Sequence, residues 1–173
     1  MDYGKSFSYA LEDNDWPTKL GVGALVSIVP ILNFAATGYM VQITRNVMDQ
    51  QPDLLPDWDD FGQKFMDGLI IFVAAFIYAL PFLLLWCVSL PFMVLPALGG
   101  ENEQIVGALA GLSFAAFCVV GCLSLLYILV LTLILPAITI FYAREGTFGA
   151  CFKVGEMISF ISSNLGNYLG AVV

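Results

Sequence analysis

Three groups of side chains in this sequence have types and spacing that could do chemistry. Cys118 and Cys122 are four residues apart, so both thiols would share one face of a helix. Asp57, Asp59 and Asp60 crowd carboxylates into one short stretch, and Asn33 and Thr37 place polar groups beside Pro30 inside an apolar run. The thiol pair suits a metal or a disulfide, the acidic trio a calcium ion, and the polar break a neutral solute or a lipid headgroup.

The first two readings ask for more than the sequence supplies. Thiols at i and i+4 of a regular helix are held too far apart to bond, and tetrahedral zinc needs further ligands. The acidic trio lacks the regular ligand spacing of a calcium loop. Its carboxylates have a structural use, with Asp57 as a helix cap and Asp59 and Asp60 in a first turn, where the helix dipole favours negative charge. Thr147 is placed to cap a later segment in the same way. Histidine is absent, which removes the commonest general base and metal ligand. The expectation is no catalytic residue, no metal and no cofactor. All four cysteines, Cys87, Cys118, Cys122 and Cys151, lie in or beside apolar runs and read as reduced, buried side chains.

What must position these groups is a membrane. Of the 173 residues, 60% are hydrophobic and only 12% charged, and the charges are segregated. Uncharged runs cover 20–44, 68–100, 104–143 and 157–173. Three of these meet or exceed the roughly 20 apolar residues that cross a hydrocarbon core. The start, "MDYGKSFSYALEDNDW", is acidic where a signal peptide would be basic, so the first apolar run is expected to remain in the mature protein. A net charge of −8 argues against nucleic acid as a partner and against a polybasic lipid patch.

The first run holds a break. A helix over 17–29 rises only about 20 Å, short of a core about 30 Å thick. Pro30 then disfavours helical geometry in the residue before it, and Asn33 can turn the chain or cap a second helix. Positive charge decides whether the run crosses, because cytoplasmic loops carry the Lys and Arg excess. If it doubles back while 68–98 and 104–143 each cross once, all six basic residues fall on one side and the loop with Glu101 and Glu103 lies alone outside. Runs as long as 68–100 and 104–143 could each also hide a hairpin.

The expected fold is therefore an all-α, polytopic integral membrane protein forming a single membrane domain over 1–173. It comprises an interfacial lead-in (1–19), a broken, re-entrant or hairpin element (20–44), and an acidic inner loop with an amphipathic helix (45–67). A membrane helix (68–98), a second membrane helix (104–143), an amphipathic lead-in (144–156) and a partial last membrane segment (157–173), either truncated or barely reaching the far interface, follow. Two lead-ins share the pattern Phe-Gly-x-x-Phe-x-x-Gly, at Phe61, Gly62, Phe65 and Gly68, and at Phe148, Gly149, Phe152 and Gly155, which suggests an internal repeat. Each phenylalanine pair forms an i,i+4 stripe suited to the headgroup boundary, with Trp16 and Trp58 as further anchors. Small residues recur at spacing four, at Gly107, Gly111 and Ala115 and at Ser162, Gly166 and Gly170, marking faces for close helix packing, chiefly within the chain itself.

Three stretches, "DYGKSFSYALEDNDWPTKLGVGALVSIVPILNFAATGYMVQITRNV", "LPDWDDFGQKFMDGL" and "FYAREGTFGACFKVGEMISFISSNLGNYLGAVV", resemble the prokaryotic multi-pass membrane family catalogued as domain of unknown function 4013. The resemblance implies a polytopic fold that continues through further apolar segments, and it brings no catalytic residues. The expected function is a non-catalytic accessory or scaffold subunit of the cell (inner) membrane, with the N-terminus and basic segments cytoplasmic. Its expected partners are membrane lipids and other integral membrane subunits or a second copy of itself. The alternative is a transporter or lipid-handling protein that binds a neutral solute or lipid headgroup at Pro30, Asn33 and Thr37.

Overall fold

A computed structural model describes residues 15–51 and 55–172, and among these the structure is all-helical with no strand. Helix α1 spans Trp16–Ile28, with Pro17 in its first turn, where a missing N–H costs nothing. It stops ahead of Pro30, and α2 runs Asn33–Met48. The break is thus four residues long, and the two helices pack against each other. Asn33 does not cap α2. Leu32 holds the cap position, and Asn33 is the first helical residue.

Helix α3 spans Phe61–Ser89, so it begins inside the expected lead-in and carries it without interruption into the apolar run. Asp57 lies outside this helix and is not its cap. After Leu90 come a single turn, α4 (Pro91–Val94), and a 3-10 segment, Leu95–Gly99. Helix α5 is continuous over Glu103–Glu145, 43 residues, or roughly 65 Å at 1.5 Å per residue. Neither long run hides a hairpin. Pro81 and Pro136 lie inside α3 and α5, where each removes one backbone hydrogen bond. At the end of α5, Gly146 takes a φ of 66°, and its N–H donates to the Tyr142 carbonyl (2.8 Å), closing the helix with a left-handed residue.

The segment after α5 departs from expectation. Phe148–Phe152 is a 3-10 turn rather than an amphipathic α-helix, with Thr147 at its cap position but no side-chain cap bond. The last apolar run is two helices, α6 (Val154–Ser163) and α7 (Leu165–Val172), interrupted at Asn164.

The chain divides into two compact units, Met1–Ala75 with Leu133–Val173, and Phe76–Thr132. The core of the first is built on Val41, Ile138, Tyr142, Cys151 and Met157, all essentially inaccessible. In it α6 and α7 dock through Phe160, which meets Phe141 and Tyr168 edge-on, and the Tyr168 hydroxyl donates to the Leu133 carbonyl (2.6 Å). In the second unit the Tyr127 hydroxyl donates to the Tyr78 carbonyl (2.5 Å), and Asn102 caps α5 by accepting from the Gln104 and Ile105 amides. Two stretches, Phe61–Gly99 and Glu103–Glu145, are long and apolar enough to cross a membrane. Only 17% and 6% of their most apolar windows are buried, whereas the core helix of a soluble protein would be mostly buried.

Candidate functional site

The polar residues that the structure gathers are those standing at the edges of the uncharged runs. Arg45 follows the first, Asp67 precedes the second and Tyr142 is the next-to-last residue of the third. The Arg45 guanidinium donates to Asp67 Oδ2 (2.7 Å) and, through Nε, to the Ala143 carbonyl (3.3 Å). The Tyr142 hydroxyl donates to Asp67 Oδ1 (2.7 Å). Both carboxylate oxygens are therefore occupied, and the guanidinium also lies 5.6 Å from the centre of the Tyr142 ring, within cation–π range. Asp67 is 8% exposed, so its charge is tolerated because it is paired and hydrogen-bonded. The cluster ties α2, α3 and α5 together.

Close approach of backbones makes this meeting possible. A Cβ on Gly38 would overlap the carbonyl of Lys64, and one on Gly68 would overlap the carbonyl of Phe34. The two glycines therefore let α2 and α3 touch main chain to main chain. Phe34 sits between Phe65 (5.7 Å between centroids) and Phe72 (4.9 Å), filling the space beside the crossing.

A second tie holds the hairpin to the loop that precedes α3. Lys19 donates to the Leu55 carbonyl (3.0 Å) and pairs with Asp57 (3.1 Å), while Trp58 donates its indole N–H to the Lys19 carbonyl (2.9 Å) and stacks flat on Tyr39. The start of α1 and the body of α2 are thereby held to one loop. Trp58 and Phe65 are packing residues here. Phe61 lies near Trp58 (6.5 Å), Trp16 is half-buried, and Phe148 and Phe152 meet each other edge-on (5.1 Å).

The expected sites are placed differently. Thr37 spends its hydroxyl on the Asn33 carbonyl of its own helix (3.3 Å), and Pro30 and Asn33 are exposed. Around Gly107 and Gly111, and likewise Gly166, a Cβ would meet nothing within 4 Å, so these small-residue faces do not pack within the described chain as expected. Ala115, Ser162 and Gly170 are exposed as well. All four cysteines are free, and Cys87, Cys118 and Cys122 are exposed rather than buried. Cys151 alone is buried, and burial pushes its thiol above the ordinary range.

Two pockets flank the crossing. A cleft of about 320 Å³ between α1 and α2 is walled by Leu20, Ala24, Ala36, Met40, Tyr39 and Trp58. An open polar pocket of about 350 Å³ lies where the acidic loop meets α2 and the first turn of α3, lined by Gln42, Asp57, Asp59, Asp60, Gln63 and Lys64.

A family model described as a protein of unknown function (DUF4013) matches residues 22–173. The chain belongs to that family. The DUF4013 match takes in the 69–140 stretch, where the sequence alone offered only apolarity, and begins at Val22, after Trp16 and Lys19. Arg45, Asp67, Tyr142, Gly38 and Gly68 all lie inside it. No curated protein and no solved structure matches the chain.

The Arg45–Asp67–Tyr142 cluster and the Gly38 and Gly68 crossing were missed by sequence reasoning, although a signal existed. Arg45 and Asp67 border uncharged runs, Tyr142 is the next-to-last residue of one, and Gly68 closes the first Phe-Gly-x-x-Phe-x-x-Gly pattern. Chemically the cluster can hold three helix ends in register. It presents no nucleophile and no base aimed at open space.

Proposed function

We propose that the protein is a multi-pass integral protein of the cell (inner) membrane that carries out no reaction itself and acts as an accessory or scaffold subunit. It packs on other membrane helices or on a second copy of itself. In this reading α3 and α5 span the bilayer, while the α1–α2 hairpin enters from the inner side and returns, keeping the N-terminus and the basic segments cytoplasmic. Helix α5 is far longer than an upright span needs, so it tilts or continues beyond the hydrocarbon.

One observation carries the scaffold reading: the Gly107 and Gly111 face of α5 has open space where a Cβ would stand. In lipid, small-residue faces serve close helix contact, and this one has no neighbour among the described residues. Purification in a mild detergent with mass determination tests it. The expected result is a stoichiometric complex that the Gly107→Leu, Gly111→Leu double variant dissolves; a lone monomer for both proteins would refute the reading.

A second reading, lipid or neutral-solute handling, is favoured by the cleft between α1 and α2. The polar groups expected to line it argue the other way, since Thr37 is bonded within its own helix.

A further inference from the structure

Among the described cations Lys64 combines burial with the lack of a carboxylate partner; Arg144 also has none within ion-pair distance, but it is exposed. Lys19, Arg45 and Lys153 each pair with a carboxylate, whereas no described carboxylate lies within ion-pair distance of the Lys64 ammonium. Lys64 as a whole is only 7% exposed, so its stem is packed away while its ammonium keeps accessible surface. Its main chain is fixed, with the carbonyl against Gly38 and the N–H donating to the Asp60 carbonyl (3.1 Å). The residue lines the polar pocket together with Asp59 and Asp60, which are exposed, and Asp57, whose carboxylate is engaged by Lys19.

This pocket presents both signs of charge, separated from one another. A simple anion drawn to Lys64 would face the carboxylates, and a simple cation drawn to the carboxylates would face the Lys64 ammonium. A small molecule with an anionic and a cationic end satisfies both. At about 350 Å³ the space falls within the size of small-molecule sites, roughly 300–1,000 Å³.

We propose that this pocket binds a zwitterion made of a primary ammonium and a phosphate, with the phosphate at Lys64 and the ammonium at Asp59 and Asp60. Its source is the ethanolamine headgroup of an inner-leaflet phospholipid. The lipid source rests on the membrane reading above; the charge match does not. Gln42 and Gln63 supply amides at the rim. The ammonium, with its N–H donors, distinguishes this headgroup from a choline, which carries the same charges but donates nothing to a carboxylate.

The test uses the full chain in detergent, exposed to an equimolar mixture of ethanolamine, choline and glycerol phospholipids and read by native mass spectrometry. The wild type is expected to retain the ethanolamine lipid about tenfold over the choline lipid. Asp59→Asn with Asp60→Asn, both at exposed positions, should bring that ratio close to one with the helical circular dichroism unchanged. Lys64→Gln should lower retention of the ethanolamine lipid about tenfold; if that variant does not fold, the Asp59, Asp60 variant decides. Equal retention of the three lipids, or a preference that survives the aspartate changes, overturns the lipid assignment. Titration with soluble phosphoethanolamine separates the sources. Binding there without lipid preference keeps the zwitterion site and refutes the lipid, and binding in neither arm refutes the site. A carbonate wash of the membranes reports independently on the membrane reading, because a chain it releases is not integral whatever the pocket binds.

Discussion

Two pairs of glycines in this chain look alike on paper and behave in opposite ways. Gly38 and Gly68 sit where two helix backbones touch, and neither has room for a Cβ. Gly107 and Gly111 have the regular spacing of a packing face, yet among the described residues nothing lies within 4 Å of where their Cβ atoms would stand. Regular spacing therefore advertises a surface, while actual contact is set by which helix arrives there. The two Phe-Gly-x-x-Phe-x-x-Gly lead-ins repeat the lesson. In the first, Gly68 is pressed against α2 and Phe65 packs on Phe34; in the second, Gly155 has open space and the pattern opens as a 3-10 turn. A shared pattern produced two different local structures because only the first meets a helix at its closing glycine.

The comparison can be broken most directly at the crossing. Gly68→Val should cost about 3 kcal/mol or more, because the obstacle is a main-chain carbonyl that cannot step aside. Unfolding in mixed detergent micelles would measure it, and a near-neutral result would mean that α2 and α3 do not approach as described. Asp67→Leu, which strands the Arg45 charge, should cost about 3 kcal/mol, with part of that loss recovered when Arg45→Met is added. A strictly additive pair would show that the two residues do not interact.

Tyr142→Phe removes one of the two bonds to Asp67 and should cost about 1 kcal/mol in the same assay. A smaller effect belongs to Lys153, which pairs with Glu145 at 2.8 Å; the hydrogen bond to Glu145 raises the ammonium above the ordinary lysine value. Because the folded value is the higher one, its contribution is complete below the ordinary value and fades as pH rises through the raised one. Lys153→Gln should remove that alkaline dependence from the unfolding midpoint, and salt should screen it. Finally, Gly107→Leu with Gly111→Leu should leave the stability of the isolated chain within about 0.5 kcal/mol of wild type, since no described residue is there to be displaced. A large loss would mean that this face is packed within the chain after all.

The sequence by itself determined the helical class, the extents of the apolar runs and the break at Pro30, because these follow from local quantities: hydropathy summed over a stretch and the missing N–H of one proline. Even there a boundary escaped it, since α3 starts at Phe61 and not at the first uncharged residue. Only the tertiary structure decided which glycines would be covered, that Trp58 would stack on Tyr39, and that Arg45, Asp67 and Tyr142 would meet across 22 and 75 positions of chain. The physical reason is that the face a helix offers depends on its rotation and register against its neighbours. Those are set by contacts between distant segments, which no local pattern encodes.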